Sequence, residues 1–191
     1  MSKNKIIDAA IKLFSKLGYH RTSMDDIAAE ANVAKGTLYY HFSGKGELFE
    51  TIVTNGISML QSEVQNVLRE DQSAEQQVRL IVQKHIELFL RYNELIHIIS
   101  NELTNGIEPD ILERLGKLKA DYITFLSGIL LMGYEDGVLN KFNSEWIAAG
   151  LLGLIETSCL FYIRQPGSHS VEELHDTINA FVLPALLKKN G

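Results

Sequence analysis

The apolar positions of this 191-residue chain recur every three or four residues in segment after segment, and nowhere in the strict alternation of a half-buried strand. That period predicts helices throughout. A first helix runs from about Asn4 to Leu17, burying Ile6, Ile7, Ala10, Leu13, Phe14 and Leu17, with Gly18 as its C-terminal cap. Two short helices follow, and residues 46 to about 70 read as a long connecting helix. Gln72-Ser73 opens another long pattern through Val78, Ile81, Val82, His85, Phe89, Tyr92, Ile96, Ile99 and Leu103, broken at Asn105-Gly106. Pro109 suits the first turn of a helix continuing to about Met132, and Gly133 to Asn143 reads as a loop. The last two helices are expected over about Ser144 to Arg164 and Ser170 to Lys188, on either side of Gln165-Pro166-Gly167.

The two short helices carry the most specific pattern. Ser23 stands three residues before Asp26, the spacing of a capping box that satisfies the free amides of a helix start. Ile27, Ala28 and Ala31 then share one face, and Ala28 is small enough for a second helix to cross closely. Asn32 tolerates the left-handed backbone that a tight interhelical turn needs. Val33 and Leu38 anchor the next helix, whose remaining surface holds Lys35, Gly36, Thr37, Tyr39, Tyr40 and His41. These side chains can donate to phosphates or base edges, while Gly36 allows the backbone itself to come close. The whole unit reads as a DNA-binding helix-turn-helix, with Lys45 a further cation at the start of the following helix.

At fixed spacing along this stretch stand Leu13-Phe14, Gly18-Tyr19, Thr22-Ser23, Ile27-Ala28, Ala31, Val33, Lys35 through Phe42, Lys45 and Leu48-Phe49. This series resembles the N-terminal domain of the tetracycline-repressor (TetR) family. Two positions depart from its pattern: Asn32 where Gly is usual, and Ala34 where Ser or Thr often caps the reading helix. The resemblance implies an all-α fold of about nine helices. A three-helix helix-turn-helix DNA-binding domain would occupy residues 1–47, and a helical ligand-binding and dimerisation domain residues 48–191. It further implies that Tyr39, His41 and Lys45 contact phosphates, with Tyr40 beside them. Thr22 and Ser23 are expected to touch the DNA backbone where the preceding helix begins, and Lys35 and Thr37 to reach base edges.

Charge sharpens this picture only when it is divided. The chain carries 18 basic and 24 acidic residues, a net charge of −6 and a pI near 5.5 that argue globally against nucleic acid. Residues 1–47 nevertheless hold seven basic against five acidic side chains, leaving 11 and 19 for the remainder. The mildly basic part is thus offered to DNA and the acidic part kept away from it. A single cysteine, Cys159, excludes an intrachain disulfide and fits a reducing cytoplasm. Lys3 and Lys5 are followed by no apolar signal core.

Trp146 to Ile163 is the most apolar run, but at 18 residues, with Glu156 in its middle, it reads as a buried helix rather than a membrane span. Ala148, Ala149, Gly150 and Gly153 form a small-residue patch where another helix could approach, and the last helix repeats Val171, Leu174, Ile178, Phe181, Val182 and Ala185 at matching spacing. Two such helices meeting their copies would build a homodimer. A pair of heads is also what specific reading of a palindromic operator requires, since one helix-turn-helix covers too few base pairs.

The TetR resemblance implies a small-molecule effector in the second domain that releases DNA. Polar or aromatic groups on otherwise buried faces are the candidates to meet it: His85, Phe89, Tyr92, Tyr122, Phe125, Glu156, Cys159 and Tyr162. Each could equally be a satisfied core residue, and Glu156 could pair with a cationic ligand or with Arg or His of another helix. His169, Glu172, Glu173 and His175 are metal-capable but fit a solvated helix start better. No phosphate-cradling glycine loop or nucleophile elbow is present, so neither cofactor nor catalysis is expected. The rival reading is a DNA-bound structural protein that uses the same head without an effector.

Overall fold

The computed structural model describes residues 2–69, 71–93, 107–135, 137–165 and 167–188. They form eight helices: α1 (Ser2–Leu17), α2 (Met24–Glu30), α3 (Lys35–His41), α4 (Lys45–Val67), α5 (Ala74–Arg91), α6 (Pro109–Glu135), α7 (Ser144–Ile163) and α8 (Val171–Leu186). The only β feature among the described residues is an isolated antiparallel bridge between Leu139 and Leu187. The expected helical run through Ile96, Ile99 and Leu103 and its break at Asn105-Gly106 lie outside the described residues.

Two compact units emerge, one of residues 1–58 and 92–118, the other of residues 59–91 and 119–191. This partition differs from the expected division at residue 47 because Leu48, Phe49, Ile52 and Val53 of α4 are buried in the core of the first unit. Ile107, Ile111 and Leu115 join the same core. The segment at α6 is also tied by polar contacts: the Tyr19 hydroxyl donates to Glu108 Oε2 at 2.9 Å, and Arg114 bridges Glu50 (2.7 Å) and Asp110 (3.0 Å). Gly46 lies against Ile111 so closely that a Cβ there would overlap its Cδ1.

Local rules account for the helix ends. Gly18 caps α1 with φ 83°, its N–H donating to Phe14 O at 2.8 Å. Ser23 and Asp26 close the capping box of α2: Ser23 Oγ accepts from Asp26 N–H, and Asp26 Oδ2 accepts from Ser23 N–H. Asn32 takes φ 50°, so the α2–α3 turn uses the left-handed conformation that this residue tolerates. Ala34 precedes α3 without a side-chain cap.

In the second unit α5 packs on both α7 and α8, which also pack on each other. The most deeply placed polar side chain there is His85, with no exposed surface. Its Nδ1 lies 2.7 Å from Ile81 O and its Nε2 2.8 Å from the Tyr122 hydroxyl. A carbonyl can only accept, so Nδ1 carries the hydrogen; with the imidazole kept neutral by burial, Nε2 is left to accept from the Tyr122 hydroxyl. Burial pushes the His85 pKa down to about 4 from 6.5.

Since the folded value lies below the unfolded one, the unfolded chain binds this proton first as pH falls. The contribution of His85 is therefore complete above pH 6.5 and is lost progressively as pH drops from 6.5 towards 4. The loss is on the order of 3 kcal/mol. Urea unfolding at pH 7 and pH 4.5 should show a larger acid-induced drop in stability for the native chain than for His85→Gln, and equal drops would refute the buried neutral pair.

Candidate functional site

The reading surface is built on the first unit by three helices with one shared core. Ile27 and Ala28 of α2, Leu38 of α3 and Phe14 of α1 are all buried, and Phe42 closes the end of α3. With Leu38 and Phe42 turned inward, α3 presents Lys35, Gly36, Tyr39 and Tyr40 outward. Tyr39 is 51% and Tyr40 85% exposed, a large aromatic surface that no packing inside the protein explains. Thr37 and His41 are half-buried, and Ser2 Oγ lies 2.8 Å from His41 Nε2. The Lys35 ammonium sits 2.6 Å from Asp25 Oδ2, on the first turn of α2. Gly36 meets nothing within 4 Å of where a Cβ would stand, so its missing side chain serves no contact inside the protein.

Two expected DNA contacts have other work. Thr22 is 1% exposed, and its hydroxyl donates to Gly18 O at 2.9 Å, so its side chain stabilises the α1–α2 turn. Lys45 Nζ donates to Tyr19 O (2.7 Å) and Thr22 O (3.0 Å) and lies 4.3 Å from the centre of the Tyr19 ring. It gathers the carbonyls of that turn. Ser23 remains exposed but is engaged in the capping box. Residues that the sequence reading passed over also belong to this surface: Asp25 through its pair with Lys35, and Lys3, whose ammonium lies 5.5 Å from the centre of the Phe42 ring. The sequence signal for Asp25 was present, since Asp26 alone completes the capping box, but its partner ten residues away was not legible.

The candidate effector residues divide. His85, Tyr122 and Phe125 come together, the Tyr122 ring lying 5.9 Å from His85 and 5.8 Å from Phe125. Phe89 and Cys159 are buried in the same unit, and Glu156 and Tyr162 are half-buried on α7. Tyr92 is separate, packed against the core of the first unit. Burial pushes the Cys159 thiol up to about 12, so it stays neutral, as does His85 at ordinary pH. On α8, His175 Nε2 and Asn179 Oδ1 are buried without a hydrogen-bond partner. His169 pairs with Glu173, and the described residues hold no cluster of three or more metal-ligating side chains.

α7 has a second face. It buries Ala148, Leu151, Ile155 and Cys159, yet Trp146 is 79% and Phe161 60% exposed, and Phe181 of α8 is 72% exposed. Between the two α7 aromatics, Gly150 and Gly153 meet nothing within 4 Å of a Cβ. The expectation of a buried helix therefore holds for one face only within a single chain. The other is an apolar surface that demands a cover.

A capped α2, a left-handed turn and a short α3 bearing exposed donors define a helix-turn-helix DNA-binding protein. Residues 6–52 match the family described as bacterial regulatory proteins, tetR family, and residues 71–186 match the tetracyclin repressor-like C-terminal domain. The chain belongs to the TetR family. It is accordingly a DNA-binding transcriptional regulator whose partners are operator DNA, a second copy of itself and a small-molecule effector.

Among its relatives, the fatty acid metabolism regulator protein of Bacillus subtilis is 21% identical over 186 residues, 97% of this chain and 95% of the relative. The biofilm operon icaADBC negative transcriptional regulator IcaR of Staphylococcus aureus is 53% identical, but over 51 residues, 27% of each chain. The crystal structure of Bacillus subtilis FadR in complex with stearoyl-CoA aligns with a TM-score of 0.83 at 20% identity, covering 95% of this chain and 97% of that one. That of AibR in complex with isovaleryl coenzyme A and operator DNA aligns with a TM-score of 0.79 at 21% identity, covering 96% and 99%. At these identities the structural likeness establishes the fold.

Gly36 offers a direct check of the reading surface. Gly36→Ala should stabilise α3, by about 0.5–1 kcal/mol, because Ala is the better helix former and meets no obstacle. The same variant should bind operator DNA more weakly. Unfolding and DNA titrations on one preparation separate the two effects, and unchanged DNA affinity would remove Gly36 from the interface.

Proposed function

We propose that this protein is a homodimeric cytoplasmic repressor that reads a palindromic operator and leaves it when an acyl-coenzyme A occupies its second domain. Residues 1–47 would carry the reading, with Lys35, Gly36 and Thr37 at base edges and Tyr39, Tyr40 and His41 at phosphates. Ser23 would meet the DNA backbone at the start of α2. Residues 48–191 would carry ligand reception and dimerisation. We assign it no catalytic step.

The observation that carries the ligand class is the uncharged interior of the second unit. The side chains of His85, Tyr122 and Cys159 are all neutral there, and the first two satisfy each other. Such surroundings favour an apolar chain over an ion, which would be costly to bury without a partner. We assign His175 Nε2 and Asn179 Oδ1, which lack partners, to the amide or thioester groups next to that chain. The stearoyl-CoA and isovaleryl-CoA named for two structural relatives support the same class.

Release follows from linkage. The ligand shifts the dimer only by its differential affinity for the bound and free forms, commonly about 1–3 kcal/mol. Two heads must meet successive major grooves roughly 34 Å apart, so a small change of spacing suffices. The polar contacts of Glu108 and Arg114 with Tyr19 and Glu50 make the start of α6 the segment we expect to carry the change to the head.

Operator duplex selected from a random library should be released by long-chain acyl-CoA in a fluorescence-anisotropy titration, and neither free CoA nor an unrelated amphiphile should match it. Asn179→Leu should keep DNA affinity and lose release. Retention of DNA at saturating acyl-CoA of every chain length would exclude this ligand class. The dimer has its own test: Gly153→Leu should yield a folded monomer by sedimentation, since a Cβ at this exposed position meets nothing within 4 Å. A dimer that persists unchanged would move the interface elsewhere.

A further inference from the structure

The head carries acidic side chains close to a surface that must approach phosphates, and most have an evident structural task. Asp26 accepts from Ser23 N–H and Oγ–H in the capping box, and Glu47 accepts from Ser43 in the same way. Glu30 pairs with Lys12 across α1 and α2. Asp25 differs. Its carboxylate reaches from the first turn of α2 to the first residue of α3, where Oδ2 meets Lys35 Nζ at 2.6 Å. Both side chains are more than half exposed, 57% and 66%, and exposed pairs of this kind add little to stability. A negative charge at this place also repels the DNA backbone. Something other than stability or affinity must explain it.

Lysine bears a compact point charge on a flexible stem, and a loose one on a DNA-binding face meets phosphates first because they line both groove walls. Contacts to phosphate hold the protein on DNA without reporting sequence. We propose that Asp25 is a positioning residue for sequence reading: its carboxylate holds the Lys35 ammonium over the base edges and away from the phosphates. Lys35 is the one lysine or arginine of α3, so its direction decides whether the helix spends its full positive charge on sequence or on backbone. The paired carboxylate also raises the Lys35 pKa. The inference rests on α3 being the reading helix.

The test uses the full-length dimer, its selected operator, single-base-pair variants of that operator and a random duplex, each titrated at several salt concentrations. Asp25→Asn should bind the random duplex more tightly, with a salt slope steeper by about one, because Lys35 becomes a phosphate contact. Discrimination at one base pair of each half-site should fall by about tenfold, within the range of a single base-edge contact. Asp25→Glu should restore it. Adding Asp25→Asn to Lys35→Ala should change discrimination no further, since Asp25 acts through Lys35.

Equal tightening on every duplex with discrimination intact would reduce Asp25 to simple charge repulsion and overturn the proposal. A loss of discrimination that persists in the Lys35→Ala background would overturn it too, by making Asp25 a reader itself. Failure of the native dimer to enrich any sequence would instead remove the DNA-reading role of α3 on which the proposal stands.

Discussion

The angle between α2 and α3 is held at Asn32, and every contact the head can make with DNA inherits it. The residue sits at φ 50°, a conformation in which most side chains collide with their own backbone. Hydrogen bonds lock the turn on either side: Asn32 N–H donates to Ala29 O at 3.1 Å and Val33 N–H to Ala28 O at 3.0 Å. The chain can then bury Leu38 completely against Ile27 and Ala28 while its opposite side carries two exposed tyrosines. A residue unable to take a positive φ would open the turn, and Lys35 would no longer find Asp25. Geometry at one backbone position thus sets where the donors point.

The second unit obeys a different constraint. Its interior polar groups are kept neutral by burial and hydrogen-bond to one another, as His85 and Tyr122 do. Its outer apolar face, by contrast, is left for another chain to cover, with Trp146, Phe161 and Phe181 standing in solvent in a single copy. A buried neutral pair lies at the core, and the unfinished face is the one we propose a second copy covers. The two together explain why a chain with net charge −6 can act on DNA at all: folding and pairing are left to the acidic part, and contact is made by a small, mildly basic head.

How much of this was legible in the sequence depends on how local each signal is. The capping box, the left-handed turn and the buried face of α2 each involve residues within about one or two helical turns, so spacing alone exposed them. The turn contacts of Thr22 and Lys45 were hidden for the opposite reason. Thr22 turns its hydroxyl back to Gly18, and Lys45 reaches carbonyls more than twenty residues earlier, contacts that residue type and spacing do not reveal. Tyr92 shared a helical period with His85 and Phe89, yet it belongs to the other unit, and periodicity holds no mark of where one core ends. The effector residues were hardest, because an aromatic that lines a cavity and one that fills a core follow the same pattern along a helix.

Gly150 and Gly153 have a reach beyond the molecule itself. A contact made backbone to backbone leaves no room for adjustment: a facing helix with larger side chains at those positions collides, and one with a different register leaves voids. A bacterium that makes several regulators of one architecture in one compartment faces the hazard that their subunits mix, giving dimers with two unlike heads that read no operator. In the proposed dimer, a bare glycine surface framed by Trp146 and Phe161 would accept its own copy and few others. On that proposal, the most featureless part of the helix would keep this regulatory circuit separate from its neighbours.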